Sequence, residues 1–222
     1  MTKLLSLNPE ICIVFNSGAA GDFLVALLYQ QLHDNDFQLS IDGSGKVENQ
    51  ITNDFKKRCQ DYYNFKFDAI SFDQLNLNSI VCNTHYCHQE LLNLFPDCKF
   101  YYIDDTEYLD VILDLYIKKR IHPYYDSLET WFLTNPINKF KKNIYLTENQ
   151  VEKIMKLDWQ KNTNSWKKLG IESISFGDIL DRQLCKNLLK YIINDRVKFN
   201  LDRFNYSHDL WIRHNKKIIK HI

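Results

Sequence analysis

The apolar run Ile11-Cys12-Ile13-Val14-Phe15, followed by small residues and then a helix-forming segment, constrains the fold of this chain more than any other feature. A short apolar run bounded by polar residues is typical of a buried strand. The segment Asn16–Asp22 is rich in Gly and Ala, and apolar residues at helical spacing begin at Phe23. The pattern predicts a strand, a tight loop and a helix. Such a loop places backbone N–H groups at the positive end of a helix, where phosphate or sulfate groups bind.

The rest of the chain alternates short apolar runs with segments of helical periodicity. The predicted strands are Glu10–Phe15, Ala69–Phe72, Ser79–Asn83, Lys99–Ile103 and Glu172–Phe176. The main predicted helices are Asp22–His33, Glu48–Tyr63, Cys87–Leu94, Thr106–Lys119, Gln183–Asp195 and Asp209–Lys220. Strands that alternate with helices favour a parallel sheet with right-handed crossovers. We therefore expect an α/β fold, a doubly wound parallel sheet of about five strands flanked by helices.

The length of 222 residues fits one large domain. No linker or internal repeat divides the chain, so residues 1–222 are predicted to form a single domain. Residues 124–170 are predicted to be a helical region packed beside the sheet. The segment Phe37–Lys46, with Gly43-Ser44-Gly45, is predicted to be a turn or loop.

Charge and cysteine usage limit the classes of partner. Lys plus Arg and Asp plus Glu number 28 each, so no overall positive field favours nucleic acid. No apolar run approaches the ~20 residues that a membrane helix needs. The six cysteines are scattered and form no CxxC pair. These observations predict a reduced, cytoplasmic protein that binds neither nucleic acid nor membrane.

Two segments fall at the predicted carboxyl ends of strands, where parallel sheets bind ligands. The first is the Asn16–Asp22 loop. The second is Asn83-Thr84-His85, directly after the run Ser79-Ile80-Val81-Cys82. A histidine at a strand end beside an anion-binding loop is well placed to act as a general base.

Taken in order, these segments resemble the sulfotransferase family, which binds 3′-phosphoadenosine 5′-phosphosulfate on a P-loop-like fold. Asn16-Ser17-Gly18-Ala19-Ala20 resembles the family's Lys-Ser-Gly-Thr-Thr loop, and Asn83-Thr84-His85 resembles its Lys-Thr-His element. The stretches Leu91–Ile103 and Ser173–Leu180 are similar to later family segments. The resemblance implies that Asn16, Ser17, Gly18, Ala19, Ala20, Gly21 and Asp22 hold the cofactor. It also implies that His85 deprotonates a small-molecule or glycan acceptor.

The chain departs from the family pattern at two points. The loop Lys of the family falls on Asn16, which supplies no charge. Where the family places an Arg for the 3′-phosphate of the cofactor, this chain has Asp104-Asp105. These departures leave a second hypothesis open, a degenerate sulfotransferase-like domain that binds protein partners. A kinase or NTPase whose Asp104-Asp105 holds Mg²⁺ is a third, although the loop lacks the Walker A lysine.

Each feature also has a purely structural alternative. The Asn16–Asp22 segment is compatible with a tight turn whose N–H groups are capped by the Asp22 carboxylate. His85 is compatible with a hydrogen-bonded histidine that has no catalytic task. The cluster Cys82, His85, Cys87 and His88 contains zinc-ligand residue types, at a spacing that is irregular for a zinc knuckle.

Overall fold

The structure is a computed structural model, and it describes residues 10–32, 39–41, 47–48, 81–85, 87, 89–122, 124–134, 146–194 and 196–219. The predicted strand Ala69–Phe72 lies outside the described residues, and so does the predicted helix Glu48–Tyr63 except for Glu48, which belongs to a strand.

The described residues form a four-stranded parallel sheet and a separate two-stranded antiparallel pair. The strands are β1 (Ile11–Val14), β2 (Ser40–Ile41), β3 (Val47–Glu48), β4 (Val81–Thr84), β5 (Lys99–Asp104) and β6 (Glu172–Ser175). The parallel sheet has the order β4-β1-β5-β6, and β2 pairs with β3. The predicted α/β class with a parallel sheet is confirmed. About five strands were expected, and four are parallel in the described part of the chain.

Helices connect and cover these strands. They are α1 (Gly21–Leu32), α2 (Gln89–Leu94), α3 (Leu109–Tyr116), α4 (Leu128–Thr134), α5 (Glu148–Lys168), α6 (Phe176–Leu180), α7 (Arg182–Ile193) and α8 (Leu201–Ile219). A 3₁₀ turn, Thr106–Tyr108, leads into α3, and a π-helical segment, Ile117–Ile121, continues it. The helices α4 and α5 lie within residues 124–170, the range that the sequence predicts to be a helical region.

Side chains alternate between the two faces of β1 and bury apolar groups on both. Ile11 and Ile13 belong to the large core that includes residues of α1, α3, α7 and α8. Cys12 and Val14 belong to a smaller core with Leu91 of α2 and a residue of α5. A strand that is buried on both faces reads as a continuous apolar run, which is the pattern seen in the sequence. The central position of β1 follows from this pattern.

The strand order reverses at β1. The next parallel strand in the described part of the chain, β4, pairs with one side of β1, and β5 pairs with its other side. Ligands of open α/β sheets bind beyond the carboxyl ends of the strands at such a reversal. The loop after Val14 therefore starts at the position where a ligand site is expected.

The main error of the sequence prediction concerns the last helix. The helix was expected at Asp209–Lys220, but α8 begins at Leu201. Its start is fixed by Asn200, whose Oδ1 accepts a hydrogen bond from the Arg203 N–H at 3.0 Å. Asn is a preferred N-cap residue, so Asn200 is a signal for a helix start that the periodicity around Asp209 obscured.

Candidate functional site

The loop between β1 and α1 changes backbone hand twice within three residues. Gly18 has a φ of +92° and Ala20 a φ of +58°, whereas Ala19 between them is not among the residues with positive φ. The Ala19 N–H donates to the Asn16 carbonyl at 3.0 Å, which closes the turn. Alternation between right- and left-handed residues is the backbone pattern of anion-binding nests. Positive φ is uncommon for a residue with a side chain, so Ala20 marks a constrained backbone.

The glycines of this loop are also required by packing. A Cβ at Gly18 would lie 2.9 Å from the Ile112 carbonyl oxygen of α3. A Cβ at Gly21 would lie 2.0 Å from Cδ1 of Phe15, whose ring is buried. Close approach of the backbone to α3 and to an aromatic ring therefore explains the small residues at positions 18 and 21 without a ligand.

The seven residues implied as a cofactor site differ in exposure. Asn16, Ala19 and Gly21 are buried, and Ser17, Gly18, Ala20 and Asp22 are half-buried. Asp22 lies in the first turn of α1, where a carboxylate is favourable. The half-buried residues are the part of the loop that a ligand can reach.

His85 lies directly beside the loop. Its Nδ1 is 2.8 Å from the Phe15 carbonyl oxygen, and its ring meets the Phe15 ring edge-on with centroids 4.5 Å apart. Because a carbonyl only accepts, Nδ1 carries the proton in this bond, and the basic lone pair of the neutral ring lies on Nε2. The structure thus brings together the two segments that the sequence placed at strand ends.

Asn16, at the position of the family lysine, faces the protein interior. Its side chain is 2 % exposed, and its Nδ2 donates to Asp105 Oδ2 at 2.9 Å, Thr163 Oγ1 at 3.1 Å and the Trp159 carbonyl at 3.2 Å. Its Oδ1 accepts from Asn162 Nδ2 at 3.0 Å. Asn16 therefore joins the loop to β5 and α5 through a buried polar cluster.

Asp105 is the only acidic member of this cluster, which consists of Asn16, Asp105, Asn162 and Thr163. It is 1 % exposed, and its Oδ1 accepts from the Thr163 hydroxyl at 3.0 Å. Burial raises the pKa of the Asp105 carboxyl, and the hydrogen bonds from Asn16 and Thr163 oppose that rise. The neighbouring Asp104 instead accepts from the hydroxyl and N–H of Thr106, at 2.6 and 3.1 Å.

Thr163 and Asn162 were missed by the sequence analysis. A signal for them exists, since Trp159, Thr163 and Trp166 follow one another at helical spacing and all three are buried. A threonine between two buried tryptophans on one helix face indicates a polar group that requires a buried partner.

Several Lys and Arg side chains could bind a cofactor phosphate, and those that the structure describes have protein partners. Lys118 pairs with Asp114 at 2.6 Å, Arg203 donates to the Gln30 carbonyl at 3.2 Å and Arg213 donates to the Asp209 carbonyl at 3.3 Å. The side chains of Lys119 and Arg120 lie outside the described residues. These partners of Lys118, Arg203 and Arg213 all lie outside the Asn16–Asp22 loop.

Metal ligands and membrane spans can be assessed only for the described residues. Among them, no group of three or more His, Cys, Asp or Glu side chains is arranged to hold a metal ion. Cys87 is buried, whereas the side chains of Cys82 and His88 lie outside the described residues. None of the described helices is both long and apolar enough to cross a membrane.

An open cleft of about 470 Å³ lies at the opposite, amino-terminal end of the sheet. Apolar residues such as Phe100 and Ile171 line it together with Lys99, Glu172 and Tyr191. None of the residues predicted to carry chemistry lines this cleft.

Comparisons with known proteins leave the family open. No protein-family model, no curated protein and no solved structure matches this chain. The geometry of the loop and of His85 is therefore the basis for a functional proposal.

Proposed function

We propose that this chain is a sulfotransferase-like protein of the P-loop-like, doubly wound class, which transfers a sulfuryl group from 3′-phosphoadenosine 5′-phosphosulfate to a hydroxyl or amine acceptor. The observation that carries the proposal is the 2.8 Å contact between His85 Nδ1 and the Phe15 carbonyl. This contact joins a general-base candidate to a nest-like loop at the reversal of strand order.

The residues of the chain have separate roles in this proposal. The backbone from Gly18 to Asp22, together with Ser17, binds the 5′-phosphosulfate, and the α1 dipole favours its negative charge. Nε2 of His85 accepts the proton of the acceptor group as the acceptor atom bonds to sulfur. The carboxyl-terminal position of both elements keeps base and anion on the same edge of the sheet. When bound, the cofactor supplies the sulfuryl group and leaves as adenosine 3′,5′-bisphosphate.

The Asn16–Asp22 loop contains no lysine or arginine that could neutralise the phosphosulfate of the cofactor. Asn16, at the lysine position, donates to Asp105, Thr163 and Trp159. A developing negative charge therefore receives no donor from the Asn16 side chain, and a missing donor of this kind costs about 3 kcal/mol of the activation barrier. We expect slow turnover for this reason.

The buried cluster around Asn16 favours a second candidate function. A loop whose amide is held by Asp105 and Thr163, and whose Gly18 packs against Ile112, is stable without a ligand. The alternative is a degenerate sulfotransferase-like domain that acts as an interaction protein. A kinase or NTPase activity lacks a comparable supporting observation.

Calorimetry with adenosine 3′,5′-bisphosphate separates these candidates. The enzyme hypothesis predicts submillimolar binding that is strongly weakened in Ser17→Asp, because a carboxylate at this half-buried loop residue repels the anion. Ser17→Asn is the matched control, since it introduces a side chain of the same size without the charge. Absence of binding to the folded native chain would leave the interaction protein.

The role of His85 has its own test. A transfer assay on His85→Gln measures turnover when the side chain keeps a polar end but loses the base. The expected loss is about 10²- to 10⁴-fold in kcat, which is the usual contribution of general-base catalysis. Unchanged turnover would remove His85 from the mechanism.

A further inference from the structure

The buried carboxyl of Asp105 is hydrogen-bonded to the Asn16–Asp22 loop, so its protonation can depend on charge that binds there. It follows the carboxyl end of β5 and is 1 % exposed. Its Oδ2 accepts from Asn16, the first loop residue of the candidate site, at 2.9 Å. A carboxylate in this position is linked to the candidate anion-binding loop through one neutral amide, in an environment from which water is largely excluded. Like charges in such an environment interact strongly.

Among the described residues, no cation is paired with Asp105. From the loop it meets the Asn16 amide, and from α5 it meets the Thr163 hydroxyl, both uncharged. The charged group that acts on it is Asp104, which directly precedes it and has the same sign. Within the described loop region, Asp22 and His85 are also titratable. Burial and Asp104 both raise the pKa of Asp105, so that its neutral form is accessible.

The Thr163 hydroxyl suits both protonation states. When the carboxylate is ionised, the hydroxyl donates to Asp105 Oδ1 at 3.0 Å. When Oδ1 carries a proton, the same hydroxyl rotates and accepts, because a hydroxyl is both donor and acceptor. Asp105 Oδ2 accepts from Asn16 in either state. Asp105 can therefore gain or lose one proton while it keeps its hydrogen bonds to Thr163 and Asn16.

We propose that Asp105 takes up one proton from solvent when an anion binds at the Asn16–Asp22 loop, so that anion affinity rises as the pH falls. The inference rests on the proposed function, because it requires an anion at the loop. The coupling is reciprocal: a bound anion favours protonated Asp105, and protonated Asp105 favours the anion. Asp105 is a positioning and regulatory residue here, since it acts through Asn16.

The test uses inorganic sulfate, whose charge is constant between about pH 5 and pH 8, with chloride added to hold the ionic strength fixed. Sulfate affinity of the full chain is measured across this range, together with the number of protons taken up. We expect the affinity to rise about tenfold towards low pH, which corresponds to 1.36 kcal/mol. Asp105→Asn, which preserves the shape of the side chain, should bind with little pH dependence and as tightly as the native chain does at low pH.

Three variants separate Asp105 from its neighbours. Asp104→Asn removes the adjacent carboxylate and should leave the pH dependence in place. His85→Gln removes a second side chain beside the loop that is able to take up a proton. The part of the pH dependence that Asp105 causes should remain in this variant. Thr163→Val removes a hydrogen bond that lowers the pKa of Asp105, so the midpoint of the pH dependence should move upward.

The outcomes distinguish this inference from the proposed function. Equal pH dependence in the native chain and in Asp105→Asn would overturn the inference while anion binding at the loop stands. Loss of the pH dependence in His85→Gln but not in Asp105→Asn would assign the proton to His85 and also overturn it. Absence of sulfate and adenosine 3′,5′-bisphosphate binding at every pH, in a folded chain, would overturn both proposals.

Discussion

The carboxyl and amino ends of the parallel sheet differ in how tightly they are packed and in which residues lie there. At the carboxyl end, the loop after β1 packs against α3 and is joined to α5 by the buried cluster of Asn16, Asp105, Asn162 and Thr163. At the amino end, β5 and β6 border an open cleft of about 470 Å³. A cleft therefore lies at the amino end, away from the candidate residues, and the candidate residues lie at the carboxyl end, where the described packing is tight. The presence of space alone does not identify the functional end of this sheet.

The largest effect should come from adding one methyl group at the carboxyl end. Gly21→Ala places a Cβ 2.0 Å from the buried Phe15 ring, and overpacking of this kind costs about 3 kcal/mol of unfolding free energy. At the amino end, Gly170→Ala meets nothing within 4 Å and has only its φ of +72° to accommodate, at a cost of about 1 kcal/mol. Urea unfolding measures both. Equal losses would contradict the difference in packing between the two ends.

Removal of the Asn16 amide should be the next largest effect. Asn16→Ala leaves the buried Asp105 carboxyl without one of its donors, and an unsatisfied buried group costs about 2 kcal/mol. Asn162→Ala is the matched control, because it removes only a half-buried donor to Asn16 and should cost about 1 kcal/mol. Chemical denaturation of both variants checks the order. A smaller loss for Asn16→Ala than for Asn162→Ala would show that the cluster does not hold the loop.

A pH effect should arise at the carboxyl end, where α6 follows β6. His208 is buried against the rings of Phe23 and Phe204, its Nε2 is 3.0 Å from the Ile179 carbonyl, and its Nδ1 has no hydrogen-bond partner among the described residues. Burial lowers the pKa of His208 below the usual 6.5. The unfolded chain therefore takes up a proton first, so the contribution of His208 is fully present above about pH 6.5 and is lost as the pH falls through its folded pKa.

The His208 prediction is checked by unfolding free energies between about pH 8 and pH 5. We expect His208→Gln to flatten the acid part of the stability curve by about 1 kcal/mol relative to the native chain. His214→Gln, at an exposed position of the same helix, should leave the curve unchanged. At the amino end, burial raises the pKa of Tyr101 to about 12, so this tyrosine adds no pH dependence in that range. An unchanged curve in His208→Gln would refute the assignment.

The smallest effect is expected at two residues with positive φ, one at each end of the sheet. Ala20→Gly at φ +58° relieves backbone strain in the loop, and Asn194→Gly at φ +52° does the same at the end of α7, beside the cleft. Asn tolerates this conformation better than Ala, so Ala20→Gly should gain more, by about 0.5 kcal/mol. Differential scanning calorimetry resolves such a difference. A loss of stability in Ala20→Gly would mean that Ala20 contributes packing that outweighs its strain.

The sequence predicted the elements whose signals are local. A continuous apolar run placed β1, and the runs at Lys99–Ile103 and Glu172–Phe176 placed β5 and β6 to within a residue. The proximity of His85 to the loop was predictable as well, because carboxyl ends of parallel strands share one edge. The pair β2–β3 was not predicted, since two-residue strands carry too few positions for an alternation to be recognised.

The buried cluster could not be derived from local patterns. Asn16 meets Asp105 and Thr163, which are 89 and 147 residues away along the chain. Asn and Thr are mostly exposed in proteins, so these residue types by themselves give no sign of burial. They become partners because α5 crosses the strand ends. In sequence, Asp105 is noticeable only as an acidic residue where the sulfotransferase pattern has an Arg. The structure adds that its carboxyl accepts a hydrogen bond from Asn16 of the loop.

The central place of β1 has a consequence for how the chain is made. Its described neighbours in the sheet are residues 81–84 and 99–104, so the chain from residue 15 to residue 80 must be made before β1 can pair with the first of them. Pairing over such sequence distances is slow, and an unpaired apolar strand is prone to aggregation. Synthesis of this protein therefore includes an interval in which its most buried strand is exposed, and recovery of native protein on expression should depend on chaperone supply.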